Sequence, residues 1–141
     1  MKGINTYLNF DGTCREAMTF YKDCLGGEVF FMPFAGGPME VTEQAKDRIL
    51  HASLRKGAAV LMASDTMPGK QYQPGNNFSV AVGCESLDEL EKVFAAFAKK
   101  GKVTMPLQDT FWGARFGTIS DQFGISWMFD FELPKEAPEK A

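Results

Sequence analysis

The chain contains one histidine, the side-chain type best suited to exchanging a proton near neutral pH. His51 lies in the alternating segment 48–56, where residues two apart share a face of a strand, so it points the same way as Ser53 and Arg55. If that face lines a cleft, His51 could act as a general base. Alternatively, this polar face is turned to solvent and the apolar residues between the three polar ones face the core. The alternation fits a cleft-facing and a solvent-facing arrangement equally.

A second alternating segment, near the start of the chain, carries amide and phenol side chains. Asn5, Tyr7 and Asn9 alternate with apolar residues, so if the apolar set packs under a helix, the polar set faces a concavity. Met62 and Met128 could form a soft floor beside it, although methionines more often fill cores. The candidate ligand-binding residues on these strands are Asn5, Tyr7, Ser53, Met62, Asn77 and Met128.

An indole and a guanidinium lie close together in the segment 111–119. Trp112 could offer a stacking surface for a ligand, and Arg115 could offer a planar fork that stabilises an anion. Their odd separation gives them opposite strand parities, so both reach one cleft only if the chain bulges at Gly113. The alternative is a packed Trp112 and a solvated Arg115.

Two aspartates end predicted strands and precede turn sequences. Asp121 is followed by Gln122-Phe123-Gly124, and we predict that its side chain caps that turn. Asp65 follows the segment 58–64 at the edge of the expected pocket, where ligand binding and a structural role are both open. The rest of the sequence shows no paired carboxylates, nucleophile triad or phosphate-binding loop.

Two helices that position these groups begin with the same S/T-x-x-E pattern, at 13–16 and 86–89. In such a capping box the hydroxyl and the glutamate each accept from a backbone N–H of the first turn. Apolar residues then recur at helical spacing. We predict that the helices end at Gly26-Gly27 and at Gly101, and that both pack on a sheet.

Each helix follows one alternating segment and precedes three strand-like segments, so the order βαβββ occurs twice. The predicted strands are 4–10, 28–34, 48–56 and 58–64, then 77–82, 102–108, 111–119 and 125–132. We therefore predict an α+β protein with a first module at 1–66, a linker at 67–76, a second module at 77–133 and a frayed tail at 134–141. The segment 35–47 is predicted to be a loop, either mobile near the pocket mouth or simply on the surface.

Composition argues against several classes of partner. The formal net charge is -3 and the basic residues are interleaved with acids, so nucleic acid is not expected. No apolar run approaches the length of a membrane span, and the first residues lack a signal-peptide pattern. The three cysteines form no CxxC pair. We expect a cytoplasmic protein with reduced cysteines and no membrane partner.

The chain resembles the PhnB-like branch of the glyoxalase, bleomycin-resistance and dioxygenase superfamily, also called vicinal oxygen chelate proteins. The resemblance lies in YLNFDGTCREAMTFYKDCLGGEV, HASLRKGAAVLMASDTMPG and FWGARFGTISDQFGISWMF, and it extends from Asn5 to Phe131. It implies paired βαβββ modules whose curled mixed sheets form a shared cleft, usually in a homodimer. His51 opens the family-like HASL motif, which favours the cleft-facing interpretation.

The resemblance also bears on metal binding. In metal-using members each module supplies one ligand from its first strand and one from its last. In this chain those positions fall on Asn5, Met62, Asn77 and Met128, none of which is a histidine or a carboxylate. One histidine cannot complete the usual shell for zinc, nickel or iron. We expect no metal and no cofactor.

Relatives of this branch also carry a demethylubiquinone methyltransferase-like name. Binding S-adenosylmethionine in the usual manner needs a glycine-rich turn between a strand and a helix. The glycine pairs at 26–27 and 36–37 follow a helix and lie in a loop, respectively. Methyltransferase activity is therefore not expected.

We expect a metal-independent protein that binds or sequesters an unidentified small organic molecule. The alternative is an isomerase, lyase or dioxygenase-type enzyme in which His51 is the general base and Arg115 stabilises an anion. A third possibility is an interaction module, which would lack a cavity of ligand size.

Overall fold

The computed structural model describes residues 1–35, 45–67 and 69–135, and the chain divides into two compact units, Met1–Pro74 and Gly75–Ala141. The predicted loop at 35–47 and the predicted tail at 134–141 lie largely outside the described residues.

The first unit contains one four-stranded sheet and one helix. Its elements in chain order are β1 (Thr6–Phe10), α1 (Cys14–Leu25), β2 (Glu28–Pro33), β3 (Ile49–Lys56) and β4 (Ala59–Asp65). The strands lie in the order β1-β4-β3-β2, with β1 parallel to β4 and the other neighbours antiparallel.

The second unit repeats this arrangement. Its elements are β5 (Val80–Gly83), α2 (Leu87–Ala98), β6 (Lys102–Asp109), β7 (Ala114–Ser120) and β8 (Ser126–Glu132). The strand order is β5-β8-β7-β6, again with one parallel pair, between β5 and β8. The α+β class and the repeated βαβββ order predicted from the sequence are therefore confirmed.

Strand alternation explains why α1 covers one side of the first sheet. Leu8 and Phe10 of β1 are buried, and the register places them level with Ala63 and Asp65 of β4. Helix α1 presents its own buried stripe, made of Cys14, Ala17, Met18 and Tyr21. Burial of these alternate residues leaves the intervening residues of each strand on the opposite face.

Aromatic contacts hold α2 on the second sheet. The centroid of the Phe97 ring lies 4.7 Å from that of Trp127 and 4.9 Å from that of Phe129. Phe94 meets Phe129 edge-on, with centroids 5.6 Å apart. A Cβ on Gly117 of β7 would come within 2.7 Å of Cε2 of Phe94, so only glycine allows this close packing.

The two helix starts differ, although their sequences match. Ser86 Oγ accepts from the Glu89 N–H (3.0 Å), and Glu89 Oε1 accepts from the Glu85 N–H (2.9 Å), so the capping box before α2 is confirmed. The one predicted before α1 is wrong, because the Thr13 side chain makes no capping hydrogen bond. The carboxylate of Asp65 occupies that role instead.

The first strand of each unit begins later than predicted. The predicted strand 4–10 begins at Thr6, so Ile4 precedes β1 and is 88% exposed. The predicted strand 77–82 begins at Val80, so Phe78 precedes β5 and is 49% exposed. Counting back along the parallel register places Asn77 level with Gly124, in the turn before β8, where no strand is present to pair with it.

Among the described residues, no helix is both long enough and apolar enough to span a bilayer.

Candidate functional site

The face of the first sheet opposite α1 carries the largest group of predicted site residues. The register aligns Tyr7 of β1 with Met62 of β4, Met62 with Ser53 of β3, and Ser53 with Phe30 of β2. His51 lies two residues from Ser53 and opposite Met32. We call this surface the His51 face; its members are Tyr7, Phe30, Met32, His51, Ser53 and Met62.

A hydrogen bond between Tyr7 and His51 spans the His51 face. The Tyr7 hydroxyl lies 3.0 Å from Nδ1 of His51, and the ring centroids are 5.7 Å apart. Strand β4 separates β1 from β3, and neighbouring strands are about 4.8 Å apart, so the bond crosses about 10 Å of sheet. The Tyr7 ring therefore lies over β4. In the described part of the chain, Nε2 of His51 has no hydrogen-bond partner.

Apolar groups lie around this polar pair. The side chains of Phe30, Met32 and Tyr7 are 58%, 42% and 42% exposed, which is high for large apolar groups. Met62 is half-buried, and Ser53 is almost fully covered. A contiguous exposed apolar patch marks an interaction site, and the polar pair within it gives a bound molecule hydrogen-bonding groups.

Two members of the His51 face, Phe30 and Met32, are not predicted by the local sequence pattern. Both lie in the nearly continuous apolar run of β2, which gives no clear alternation. Only the strand register identifies them as site residues, because it pairs Phe30 with Ser53 and Met32 with His51. That pairing joins residues more than 18 positions apart and could not be read locally.

Asp65 does not belong to the His51 face, contrary to the ligand-binding role considered for it. It is level with Phe10 on the α1 side and is only 4% exposed. Its Oδ1 accepts from the backbone N–H groups of Gly12 (2.8 Å) and Cys14 (3.1 Å), and its Oδ2 accepts from that of Ile49 (2.8 Å). Asp65 thus joins the start of α1, the start of β3 and the end of β4.

The two asparagines carried over from the family pattern are also placed differently from the prediction. Asn5 is exposed one residue before β1, and Asn77 is exposed three residues before β5. The residues paired with the two methionines are instead Tyr7, beside Met62, and Ala81, beside Met128. Neither asparagine shares a strand row with the methionine it was expected to accompany.

The second sheet presents a face equivalent to the His51 face. Thr118 is paired with Met128, as Ser53 is with Met62, and its Oγ1 lies 2.6 Å from that of Thr104. At the end of this face the rings of Trp112 and Phe116 meet edge-on, with centroids 5.7 Å apart. Trp112 is therefore on the same side as Met128, as a ligand-contacting residue would need to be.

Arg115 lies on the other side of the second sheet. It pairs with Phe131, and strand alternation places both residues on the face that α2 covers, opposite to the face of Thr118 and Met128. Its Nη1 donates to Oδ1 of Asp109, 3.1 Å away. The bulge considered at Gly113 is not what the structure shows: Gly113, at φ 88°, lies in a turn that precedes β7, with Trp112 in that turn and Arg115 in the strand. The turn does not bring the two residues to one face.

Asp121 is a structural residue, as predicted. Its Oδ1 accepts from the backbone N–H groups of Phe123 (2.8 Å) and Ile125 (2.9 Å), and its Oδ2 accepts from Nε1 of Trp127 (2.8 Å). These bonds close the turn and satisfy the buried indole.

The side chains at the paired strand positions do not fit the metal of the metal-using relatives. Those positions hold Tyr7 and Met62 in the first sheet, and Ala81 and Met128 in the second. Thioethers and a methyl group are poor ligands for the divalent metals that imidazole and carboxylate bind, and the single phenol at these positions, Tyr7, is hydrogen-bonded to His51. The described residues contain no group of three or more His, Cys, Asp or Glu side chains that could hold a metal.

Two βαβββ units, each with one helix on a four-stranded mixed sheet, are the fold expected from the family resemblance, and comparison of the sequence with family models gives the same result. Residues 3–129 match the model of the Glyoxalase/Bleomycin resistance protein/Dioxygenase superfamily, and the chain belongs to that superfamily.

The chain is also similar to individual proteins of known sequence or structure. The chain is 31% identical over 139 residues to protein YjdN of Escherichia coli, covering 90% of this chain and 93% of that protein. The crystal structure of PA1353 from Pseudomonas aeruginosa is similar with a TM-score of 0.86 and 41% identity, over 95% of this chain and all (100%) of that one. A PhnB protein from Bacillus cereus has a TM-score of 0.69 and 25% identity, over 92% and 99% of the two chains; its name proposes a 3-demethylubiquinone-9 3-methyltransferase.

Proposed function

We propose that the protein binds a small organic molecule on the His51 face without using a metal, and that it sequesters this molecule. The observation that carries the proposal is the Tyr7–His51 hydrogen bond, which sets a polar pair among exposed apolar side chains. The partially exposed Phe30 and Met32 supply contact area for an apolar body, and thioethers adapt to guests of different shapes.

Methyltransferase activity is not proposed, despite the name given to the Bacillus cereus relative. Gly26 and Gly27 follow the end of α1, and the β1–α1 connection has a single glycine, Gly12. The N–H of Gly12 donates to Asp65 and is not directed at a ligand phosphate or carboxylate.

A second candidate is an isomerase, lyase or dioxygenase-type enzyme with His51 as general base. The Tyr7–His51 contact would serve this candidate only in the tautomer in which Nδ1–H donates to the Tyr7 oxygen, because Nε2 is then unprotonated and its orientation is fixed by a neighbour. Arg115 is not part of this candidate, because it is bonded to Asp109 on the α2 side of the second sheet.

The binding proposal can be tested with a neutral aromatic probe, 2-naphthylmethanol, on protein carrying methyl-labelled methionines. We expect the Met32 and Met62 methyl resonances to shift on titration while that of Met18, fully buried under α1, stays fixed. Addition of EDTA should change neither the shifts nor the affinity. Recovery of the probe unchanged supports sequestration, whereas its consumption would support the enzyme.

Variants at two methionines give a matched comparison. Met62→Gln places an amide at the centre of the His51 face, and Met67→Gln makes the same change at an exposed position beyond β4. We expect only Met62→Gln to weaken probe binding, by about tenfold, because it removes apolar contact area. Equal effects of the two variants, or no methyl shift at millimolar probe, would reject the proposed site.

We also propose that the protein is cytoplasmic and forms a homodimer.

A further inference from the structure

We infer that the His51 face selects ligands that carry a negatively charged oxygen, and that Tyr7 sets this selectivity by holding the proton of His51 on Nε2. This inference rests on the proposed function and names the ligand class for that site.

The chemistry of the two groups determines which of them donates in the Tyr7–His51 bond. The 3.0 Å separation joins a phenol hydroxyl to Nδ1 of an imidazole. In a neutral imidazole one nitrogen is a donor and the other an acceptor. A phenol O–H is a stronger acid than an alcohol, and an unprotonated ring nitrogen is a better acceptor than a phenol oxygen. Tyr7 therefore donates to Nδ1, which leaves the ring proton on Nε2.

With its proton on Nε2, His51 offers a hydrogen-bond donor to a ligand. Nε2–H is the polar group that His51 offers to a ligand, since the described residues give it no partner. The imidazolium form also carries a proton on Nε2, so this nitrogen donates in both protonation states. A donor of this kind needs an acceptor, and hydrogen bonds to ionised acceptors are about twice as strong as neutral ones.

The residues around Nε2 are compatible with a negatively charged ligand. The hydroxyl of Ser53, two residues along β3 on the same side, is a second donor without a partner among the described residues. His51 is opposite Met32 in the sheet, so no carboxylate repels an anion from that neighbour. Glu28, the acid of β2, lies opposite Arg55, four residues further along β3. The His51 face thus combines two donors with an apolar surround.

The same assignment bears on the choice between a binding protein and an enzyme. A general base acting through Nε2 needs that nitrogen unprotonated, which would require Nδ1–H to donate to the Tyr7 oxygen. With Tyr7 as the donor, His51 recognises an oxyanion and does not abstract a proton. Tyr7 is therefore a positioning residue for ligand selection.

Nitrogen-15 NMR can test the proton position directly. The chain has one histidine, so one pair of ring nitrogen signals is expected in the two-bond correlation spectrum. In ligand-free protein at a pH where the ring is neutral, we expect Nε2 protonated and Nδ1 unprotonated. Tyr7→Phe should weaken this preference and move both signals towards the exchange-averaged values of a free imidazole, whereas the control Tyr72→Phe, outside the strands, should leave it intact.

Ligand selectivity can be tested with three probes that share one aromatic body: 2-naphthoate, 2-naphthylmethanol and 2-naphthylmethylammonium. We expect 2-naphthoate to bind about tenfold more tightly than the alcohol, as one charge-assisted hydrogen bond would give. His51→Ala should remove that preference, and Tyr7→Phe should reduce it because the ring proton is no longer held on Nε2. His51→Gln, which retains an N–H donor near the position of Nε2, should preserve part of it.

The outcomes separate the inference from the proposed function. A proton on Nδ1, or equal affinities for the three probes, overturns the inference and leaves binding at the His51 face intact. Failure of all three probes to perturb the His51 signals overturns both. A protonated Nε2 together with a carboxylate preference that depends on Tyr7 supports the inference.

Discussion

The carboxylate of Asp65, at the end of β4, accepts a hydrogen bond from the backbone N–H of Cys14, the first residue of α1, across 3.1 Å. The two residues are 51 positions apart in sequence. The N-terminus of α1 is thus satisfied by a side chain from another element, because the local Thr13 hydroxyl does not perform that role.

Replacing Asp65 should weaken the fold of the first unit. Asp65→Asn keeps the size of the side chain but turns one acceptor oxygen into a donor facing backbone N–H groups. We expect the free energy of unfolding to fall by about 2 kcal/mol, since at least one buried N–H loses its partner. Urea denaturation of the full chain measures this.

The matched control is Asp109→Asn, which alters only the exposed pair with Arg115. It should change stability by less than about 1 kcal/mol. Equal losses for the two variants would contradict the role given to Asp65.

Gly117 should be intolerant of even a methyl group. In Gly117→Ala the new Cβ would lie 2.7 Å from Cε2 of Phe94 and 3.0 Å from the backbone oxygen of Met105. Phe94 cannot easily retreat because its ring packs against Phe129. We expect a loss of about 1–3 kcal/mol in the free energy of unfolding, as is usual for overpacking.

Gly75→Ala provides the comparison, because its new Cβ would meet nothing nearer than Asn77 Oδ1 at 3.6 Å. Stability should stay the same or rise slightly, since alanine restricts the unfolded chain. A Gly117→Ala variant as stable as Gly75→Ala would show that α2 does not pack on β7 as described.

Cys14 should make the fold less stable at alkaline pH. Burial, reinforced by the nearby Asp65 carboxylate and opposed by Arg15, raises the pKa of the Cys14 thiol from 9.0 to about 12. Between these values the unfolded thiol loses its proton while the folded one keeps it. The folded state therefore binds more protons, and stability falls as pH rises through this window.

The measurement is the free energy of unfolding from pH 7 to 11 for the parent chain and Cys14→Ala. The two curves should be parallel below pH 9 and diverge above it, with the steeper fall in the parent. Curves that remain parallel to pH 11 would contradict a buried, protonated thiol.

The proposed homodimer can be checked by light scattering, with an expected mass of twice 15.6 kDa at micromolar concentration. Among the described strands, β6 pairs with β7 alone, and its exposed Val103 and Met105 suit a contact with a second chain. Val103→Lys should shift the equilibrium towards monomer, whereas Gln73→Lys, exposed and outside the strands, should not. A monomeric parent chain would reject the proposal.

Local pattern predicts the order of the helices and strands and the inner faces of the clearly periodic ones. Trp127 and Phe129, two apart in β8, are buried, and so are Leu90, Val93 and Phe94 at helical spacing in α2. Ser86 was recognised as a cap because its partner is only three residues away. These features depend on neighbours in sequence, so the sequence contains them explicitly.

Tertiary structure decided what depends on strand register and on distant partners. Tyr7 and His51 are 44 positions apart, and only the placement of β4 between β1 and β3 lets one ring reach the other. The exposed Phe30 is part of the His51 face because it pairs with Ser53. The buried Asp65 is not part of it, because its carboxylate accepts hydrogen bonds from three distant backbone N–H groups. Alternation fixes which residues share a face, but only the pairing of strands determines which of them meet, because hydrogen-bonded register joins residues that the sequence keeps apart.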